Sequence, residues 1–134
     1  MRVVIDTNVV ASAIFFGGKP KEIIDKLMLN NIDAYASAEI LEEYSETVEY
    51  LKEKFPGKKP KIPLIEIESK CNVIEVHSKV DVCRDPDDNK FIECALDSKC
   101  YYIVSGDKDL LTVEKYNDIE IVTVADFLKI LENS

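Results

Sequence analysis

The stretch "RVVID" (2–6) constrains this fold more than any other part of the chain. Val3, Val4 and Ile5 are consecutive, β-branched and apolar, with no polar residue alternating between them. Such a run belongs to a strand covered on both faces, because a sheet with one face in water alternates apolar and polar positions. Asp6 and Asn8 interrupt the apolar stretch that follows, so it reads as a buried strand entering a helix and not as a signal peptide.

Further strand-like runs recur along the chain, separated by segments of helical spacing. "VVASAIFF" and "PKEIIDKLMLNN" read as helices broken apart by Gly17-Gly18, with Pro20 placed in a first turn. "DAYAS" (33–37) is a short second strand. Ser37 then caps the helix "AEILEEYSETVEYLKEKF", where Ile40, Leu41, Tyr44, Val48 and Leu51 share a face. "PGKKPKIP" (56–63) is the clear break, and a Lys/Pro-rich connection is expected at about 52–63. A short helix ending near Cys71 follows it, then a third strand at "NVIEVH" (72–77), a helix opening in "RDPDDNKFIECAL" (84–96) and a fourth strand at "CYYIVSG" (100–106). "IEIVTV" (119–124) is a fifth strand before "ADFLKILEN", with Thr123 and Asp126 spaced as a capping box. Strands alternating with helices give βαβ units. The expected fold is therefore α/β, a three-layer α/β/α sandwich around a mostly parallel five-stranded sheet, in one domain spanning 1–134.

Composition narrows the function classes. Hydrophobic residues at 46% and charged residues at 32% belong to a globular chain and not a disordered one. No apolar run approaches the roughly 20 residues that cross a bilayer, so no membrane association is expected and the cytoplasm is the expected location. Cys71, Cys83, Cys94 and Cys100 include no CxxC pair. They read as buried thiols in a reducing compartment, neither a zinc site nor a disulfide framework. A net charge of −9 argues against gripping nucleic acid over the whole surface, yet leaves room for acids gathered in one cation-binding pit.

In a parallel α/β sheet, ligands collect beyond the carboxyl ends of the strands. Asp6 and Asn8 follow the first strand there, and "SGDKD" (Ser105 to Asp109) follows the fourth. Either Asp6 or Asp107 alone could simply cap the next helix. Glu43 lies about two turns into the helix after the second strand and borders its apolar stripe, whereas Glu42 and Glu46 read as more solvated. Asp85, Pro86, Asp87 and Asp88 crowd the head of another helix, where Asp85 suits the N-cap and Pro86 the first helical position. That helix needs one capping acid and tolerates a second, but it does not need three.

The absences point the same way. His77 is the single histidine and reads as an ordinary strand-terminal residue. No nucleophile elbow, Walker loop or GxGxxG accompanies it. The chemistry available is carboxylate chemistry, and converging carboxylates require shared protons or cations. Oxygen ligands select hard ions, Mg²⁺ or Mn²⁺, which lower the pKa of bound water and stabilise charge on phosphate. Metal-assisted phosphodiester hydrolysis is the leading reaction class.

With these residues assembled, the chain resembles the PIN-domain ribonuclease family over nearly its whole length. The motifs are "VVIDTNVVASAIF", "SAEILEEYSETV", "RDPDDNKFIECAL" and "IVSGDKDLL". Each is weak alone, but together they stand in order at strand ends and helix starts. The resemblance is closest to the branch of toxins from prokaryotic toxin–antitoxin systems. It implies a catalytic and metal-binding quartet of Asp6, Glu43, Asp88 and Asp107. Asn8 and Ser105 would be polar supports, and Asp109 a further support or a ligand to a second ion. It also implies an endoribonuclease using Mg²⁺ or Mn²⁺ on single-stranded or structured RNA, a homodimer, and an antitoxin partner inserting a segment near the pit.

RNA contact requires basic residues, which an acidic chain must concentrate somewhere. "KEKFPGKKPK" (52–61) supplies Lys52, Lys54, Lys58, Lys59 and Lys61 around Phe55, with Lys19 and Lys21 as a smaller second group. Two other readings compete with the nuclease. One is a non-catalytic module of this fold that binds RNA or protein without turnover. The other, an aspartyl-phosphate enzyme, lacks the second aspartate of its nucleophile motif, since "DTNV" stands there, and lacks a receiver's paired acids and fifth-strand lysine.

Overall fold

Val3, Val4 and Ile5 form the buried part of strand β1 (Arg2–Ile5) in a computed structural model describing residues 1–134. The other strands are β2 (Asp33–Ala36), β3 (Cys71–Val73), β4 (Tyr102–Val104), β5 (Lys115–Tyr116) and β6 (Ile119–Val122). The sheet order is β3-β2-β1-β4-β6-β5, with every neighbouring pair parallel except β5 and β6. Seven helices flank the sheet: α1 (Thr7–Phe16), α2 (Gly18–Met28), α3 (Ala38–Lys54), α4 (Leu64–Lys70), α5 (Asn89–Asp97), α6 (Lys108–Leu111) and α7 (Val124–Glu132). The fold is the expected α/β arrangement of a mostly parallel sheet between helices.

The sheet has six strands where five were expected. The additional β5 is a two-residue antiparallel strand, returned onto β6 through Asn117 in the left-handed region (φ 52°). The third strand is shorter than "NVIEVH" implied. β3 is an edge strand whose sole neighbour, β2, ends at Ala36. After Ile74 N–H donates to Ala36 C=O, the chain has no further backbone partner there. His77 therefore lies beyond the strand. The Lys/Pro-rich connection is also shorter at its start, because α3 continues through Lys52 and Lys54.

Local chemistry sets several boundaries. Ser37 Oγ accepts from Ile40 N–H and Thr123 Oγ1 from Asp126 N–H, capping α3 and α7. Gly17 adopts φ 72°, and a Cβ there would stand 3.0 Å from the Lys61 side chain, so glycine meets both requirements. The cysteines are all free; Cys83, Cys94 and Cys100 are buried and Cys71 half-buried. No helix is long and apolar enough to cross a membrane.

From β1 the chain steps outward to β2 and β3, then crosses back to β4 on the other side of β1. The strand order reverses between β1 and β4. Ligand crevices in open α/β sheets form at such switch points.

Candidate metal centre at the topological switch point

The residues leaving β1 and β4 meet here. Asp6 N–H donates to Val104 C=O at 2.9 Å, extending the β1–β4 ladder by one residue. Asp6 is the N-cap residue of α1, yet its carboxylate makes no capping bond. It points instead to Ser105, whose hydroxyl donates to Asp6 Oδ2 at 2.7 Å and accepts from Asp107 N–H at 2.9 Å. Ser105 is wholly buried, so one hydroxyl ties the two strand ends together. Asp107 does cap its helix, with Oδ1 accepting from Asp109 N–H.

The Asp85–Asp88 segment forms a 3₁₀ turn ahead of α5. Asp85 Oδ1 accepts from Asp87 N–H, the capping role expected of it, with Pro86 next in the turn. Asp87 is exposed and pairs with Lys90, which gives this third acid a partner. Asp88 points inward and is 9% exposed, and its Oδ2 is buried without any hydrogen-bond partner. It faces Asp107, another carboxylate, which can satisfy it only through a shared proton. One carboxylate oxygen from each of Asp85, Asp88 and Asp109 lies within 4.8 Å of the others.

The electrostatics record this crowding. Burial pushes Asp88 up to about 7, reinforced by Asp107, Asp85 and Asp6. Burial raises Asp6 to about 6; the Ser105 hydrogen bond works against the shift, while Asp107 and Glu43 add to it. Burial, with the charges of Asp88, Asp107, Asp109 and Asp85, holds the neighbouring Cys83 thiol up at about 11. Cys83 is thus a buried thiol at the wall of the pit.

Glu43 reaches the pit from α3, where the Tyr44 hydroxyl donates to Ile5 C=O and docks the helix against the end of β1. Both Glu43 oxygens are engaged: Oε2 accepts from the Thr7 hydroxyl and Oε1 pairs with Lys90 Nζ at 2.7 Å. Lys90 is itself only 8% exposed and also meets Asp87 Oδ2 at 3.0 Å. Burial works against its charge, but Glu43 and Asp87 outweigh that and raise its pKa. Asn8 is exposed and makes no hydrogen bond to the acids.

Sequence reasoning missed Thr7 and Lys90. Thr7 stands inside "IDTN" with nothing to link it to a residue on another helix. The one available sign for Lys90 was its place three residues after Asp87, at helical spacing.

An orphaned carboxylate oxygen among converging acids, all oxygen donors, fits a hard divalent cation. A scan against family models matches residues 2–109 to the PIN domain. The chain belongs to the PIN-domain family. PIN domains are generally nucleases and typically use divalent metal ions. Among curated proteins, this PIN-domain chain is similar to an uncharacterized protein of Methanocaldococcus jannaschii. The two are 37% identical over 121 residues, covering 87% of this chain and 77% of the relative.

The lysines of the PIN domain's connecting segment lie elsewhere. Lys52 pairs with Glu49, Lys54 stands over the Tyr50 and Phe55 rings, and Lys58 stands over Phe16, 5.0 Å from its centroid. Phe16 and Phe55 meet edge to face, and Lys61 N–H donates to Ile14 C=O at 2.7 Å. Lys59 is exposed. This ordered basic and aromatic surface sits at the far ends of α1 and α3, about 14 Å from Thr7 by helix rise.

Proposed function

We propose that this PIN domain is a Mg²⁺- or Mn²⁺-dependent endoribonuclease that hydrolyses RNA phosphodiester bonds. The observation that carries the reading is Asp88. A carboxylate is buried at the strand-order reversal with Oδ2 unsatisfied, and every acid near it raises its affinity for a positive charge. Asp6, Asp88 and Asp107 would hold the ion, Asp85 and Asp109 would flank Asp88, and Glu43 would contribute its charge from beside Thr7. When bound, such an ion lowers the pKa of water and offsets charge on phosphate.

The chain's own residues have distinct tasks. Ser105 fixes the Asp6 carboxylate and the Asp107 backbone together, so neither acid swings away. Asp85 and Pro86 set the turn that aims Asp88 inward. Buried Cys83 closes one side against water. Lys108 and Arg84 line a cleft of about 480 Å³ beside Asp109, where they supply positive charge for an approaching phosphate. Farther out, Lys54, Lys58, Lys59 and Lys61 with Phe16 and Phe55 form a surface suited to a strand's phosphates and bases. Lys52 borders that surface.

The resemblance carries the rest of the proposal: a cytoplasmic toxin, a homodimer, and an antitoxin whose cationic side chain would satisfy Asp88 Oδ2 in place of the metal ion. Cleavage of defined RNAs with Mn²⁺ or EDTA tests the central reading, with Asp6→Asn and Asp88→Asn as variants. We expect EDTA to stop cleavage, and each variant to lose about 10²- to 10³-fold or more, as removal of several kcal/mol of charge stabilisation requires. Full activity of either variant, or activity that survives chelation in protein purified free of other nucleases, rules the mechanism out.

A further inference from the structure

The pit is neutralised unevenly. On one side Asp88 Oδ2 has no donor and Asp6 and Asp107 crowd it. On the other, Lys90 Nζ sits 2.7 Å from Glu43 Oε1 and 3.0 Å from Asp87 Oδ2, while the Thr7 hydroxyl holds the second Glu43 oxygen. The start of α5 makes this division. Asp87 and Lys90 are three residues apart and share a helix face, whereas Asp88 is rotated by one position and turns inward. An ammonium 8% exposed has given up most of its hydration, which it does only with carboxylate partners in good geometry.

Outside Lys90 lies a cleft of about 220 Å³ lined by Glu39, Glu42, Glu43, Glu46, Asp87 and Lys90 alone. It contains no apolar residue, and Lys90 is its only cation. Remove the ammonium, and Glu43 and Asp87 become an oxygen-donor pair open to solvent, with further acids behind them. That is a setting a hydrated divalent ion would occupy.

We infer that Lys90 is a resident cation filling the place of a second divalent ion: it claims Glu43 and Asp87, and restricts the pit to a single ion on the Asp88 side. Lys90 is therefore a positioning residue. Held between Lys90 and Thr7, Glu43 keeps one orientation whether or not the metal is bound. The inference rests on the metal reading of the Asp88 side proposed above, and it adds the number of ions and the residue that sets it.

Calorimetric titration of the full chain with Mn²⁺, after removal of metal with EDTA, tests this without any activity measurement. Thermal unfolding with and without Mn²⁺ accompanies it. Wild type should bind one equivalent. Lys90→Met should gain a second equivalent, and its Tm should rise more on adding Mn²⁺ than that of wild type. Lys90→Met/Glu43→Gln should lose the second equivalent again, and Lys90→Arg should keep the single one. Circular dichroism establishes that each variant is folded, and a folded Glu43→Gln serves as the reference should Lys90→Met not fold. In that reference, freeing Lys90 from Glu43 should leave the single equivalent in place. Two ions in wild type, no second ion in folded Lys90→Met, or a change of stoichiometry in Glu43→Gln overturns the inference and leaves the metal reading standing. No ion in any of these proteins overturns both.

Discussion

At the scale of the residue, Asp6 and Asp88 carry a shared consequence for pH. Both have folded-state values near 6 and 7, above the ordinary carboxylate range near 4. The folded chain therefore retains protons that the unfolded chain releases, and their contribution to stability is complete below about pH 4 and lost as pH rises through about 6 to 7. In EDTA, the Tm should be higher near pH 5 than near pH 7.5, and saturating Mn²⁺ should erase or reverse that difference. A metal-free protein more stable near pH 7.5 than near pH 5 would contradict the crowding of these acids. The carboxylates themselves were legible in the sequence, because strand ends and helix starts are where a parallel α/β sheet gathers polar groups. Their partners were not. Thr7 with Glu43, and Lys90 with Glu43, join residues 36 and 47 positions apart, and no local spacing encodes such pairs.

At the scale of the element, the connection from β3 to α5 delivers Asp85 and Asp88, and Asp97 holds it in place. Asp97 Oδ2 accepts from His77 N–H at 2.6 Å and from Ser78 N–H at 2.9 Å, and Oδ1 accepts from the Ser78 hydroxyl. Burial pushes the carboxyl up, but the Ser78 and His77 hydrogen bonds together outweigh it and hold it below its usual value. Its stabilisation is therefore present at neutral pH and lost in acid, opposite in sign to that of Asp88. Asp97→Ala should cost about 1–3 kcal/mol in urea unfolding and abolish amide protection at His77 and Ser78. Protection unchanged at both amides would show that other contacts hold the connection. Elements defined by their own residues were legible: α3 from Ser37 and its apolar spacing, α7 from Thr123, the turn from Asp85-Pro86. Strand lengths and β5 were not, since a strand ends where its neighbour ends and a two-residue strand has too little pattern to read.

At the scale of the whole molecule, charge is distributed against the proposed function. The chain carries −9, and its acids include the pit, so an RNA substrate of the kind proposed would have to be drawn in by local positive charge against a repulsive field. Lys54 and Lys58 stand on aromatic rings about 14 Å from the pit by helix rise, where they can contact phosphates without neutralising the acids. Lys54→Glu/Lys58→Glu should weaken binding of a single-stranded RNA to Asp6→Asn protein. It should also flatten the dependence of log K on log salt by about 0.7 for each phosphate that the lysines no longer neutralise. An unchanged slope would assign RNA contact to other lysines or to the Arg84 and Lys108 cleft.

The hydrogen bond from Ser105 N–H to Val122 C=O has a consequence for the moment of synthesis. The acids of the pit span residues 6 to 109, but the strand that pins Ser105, and through it Asp6 and Asp107, is β6 at 119–122. A ribosome translating this chain therefore makes every carboxylate before it makes the support that orders them. Of the hydrogen bonds that hold these acids, the one anchoring Ser105 to β6 is the last that the growing chain can form.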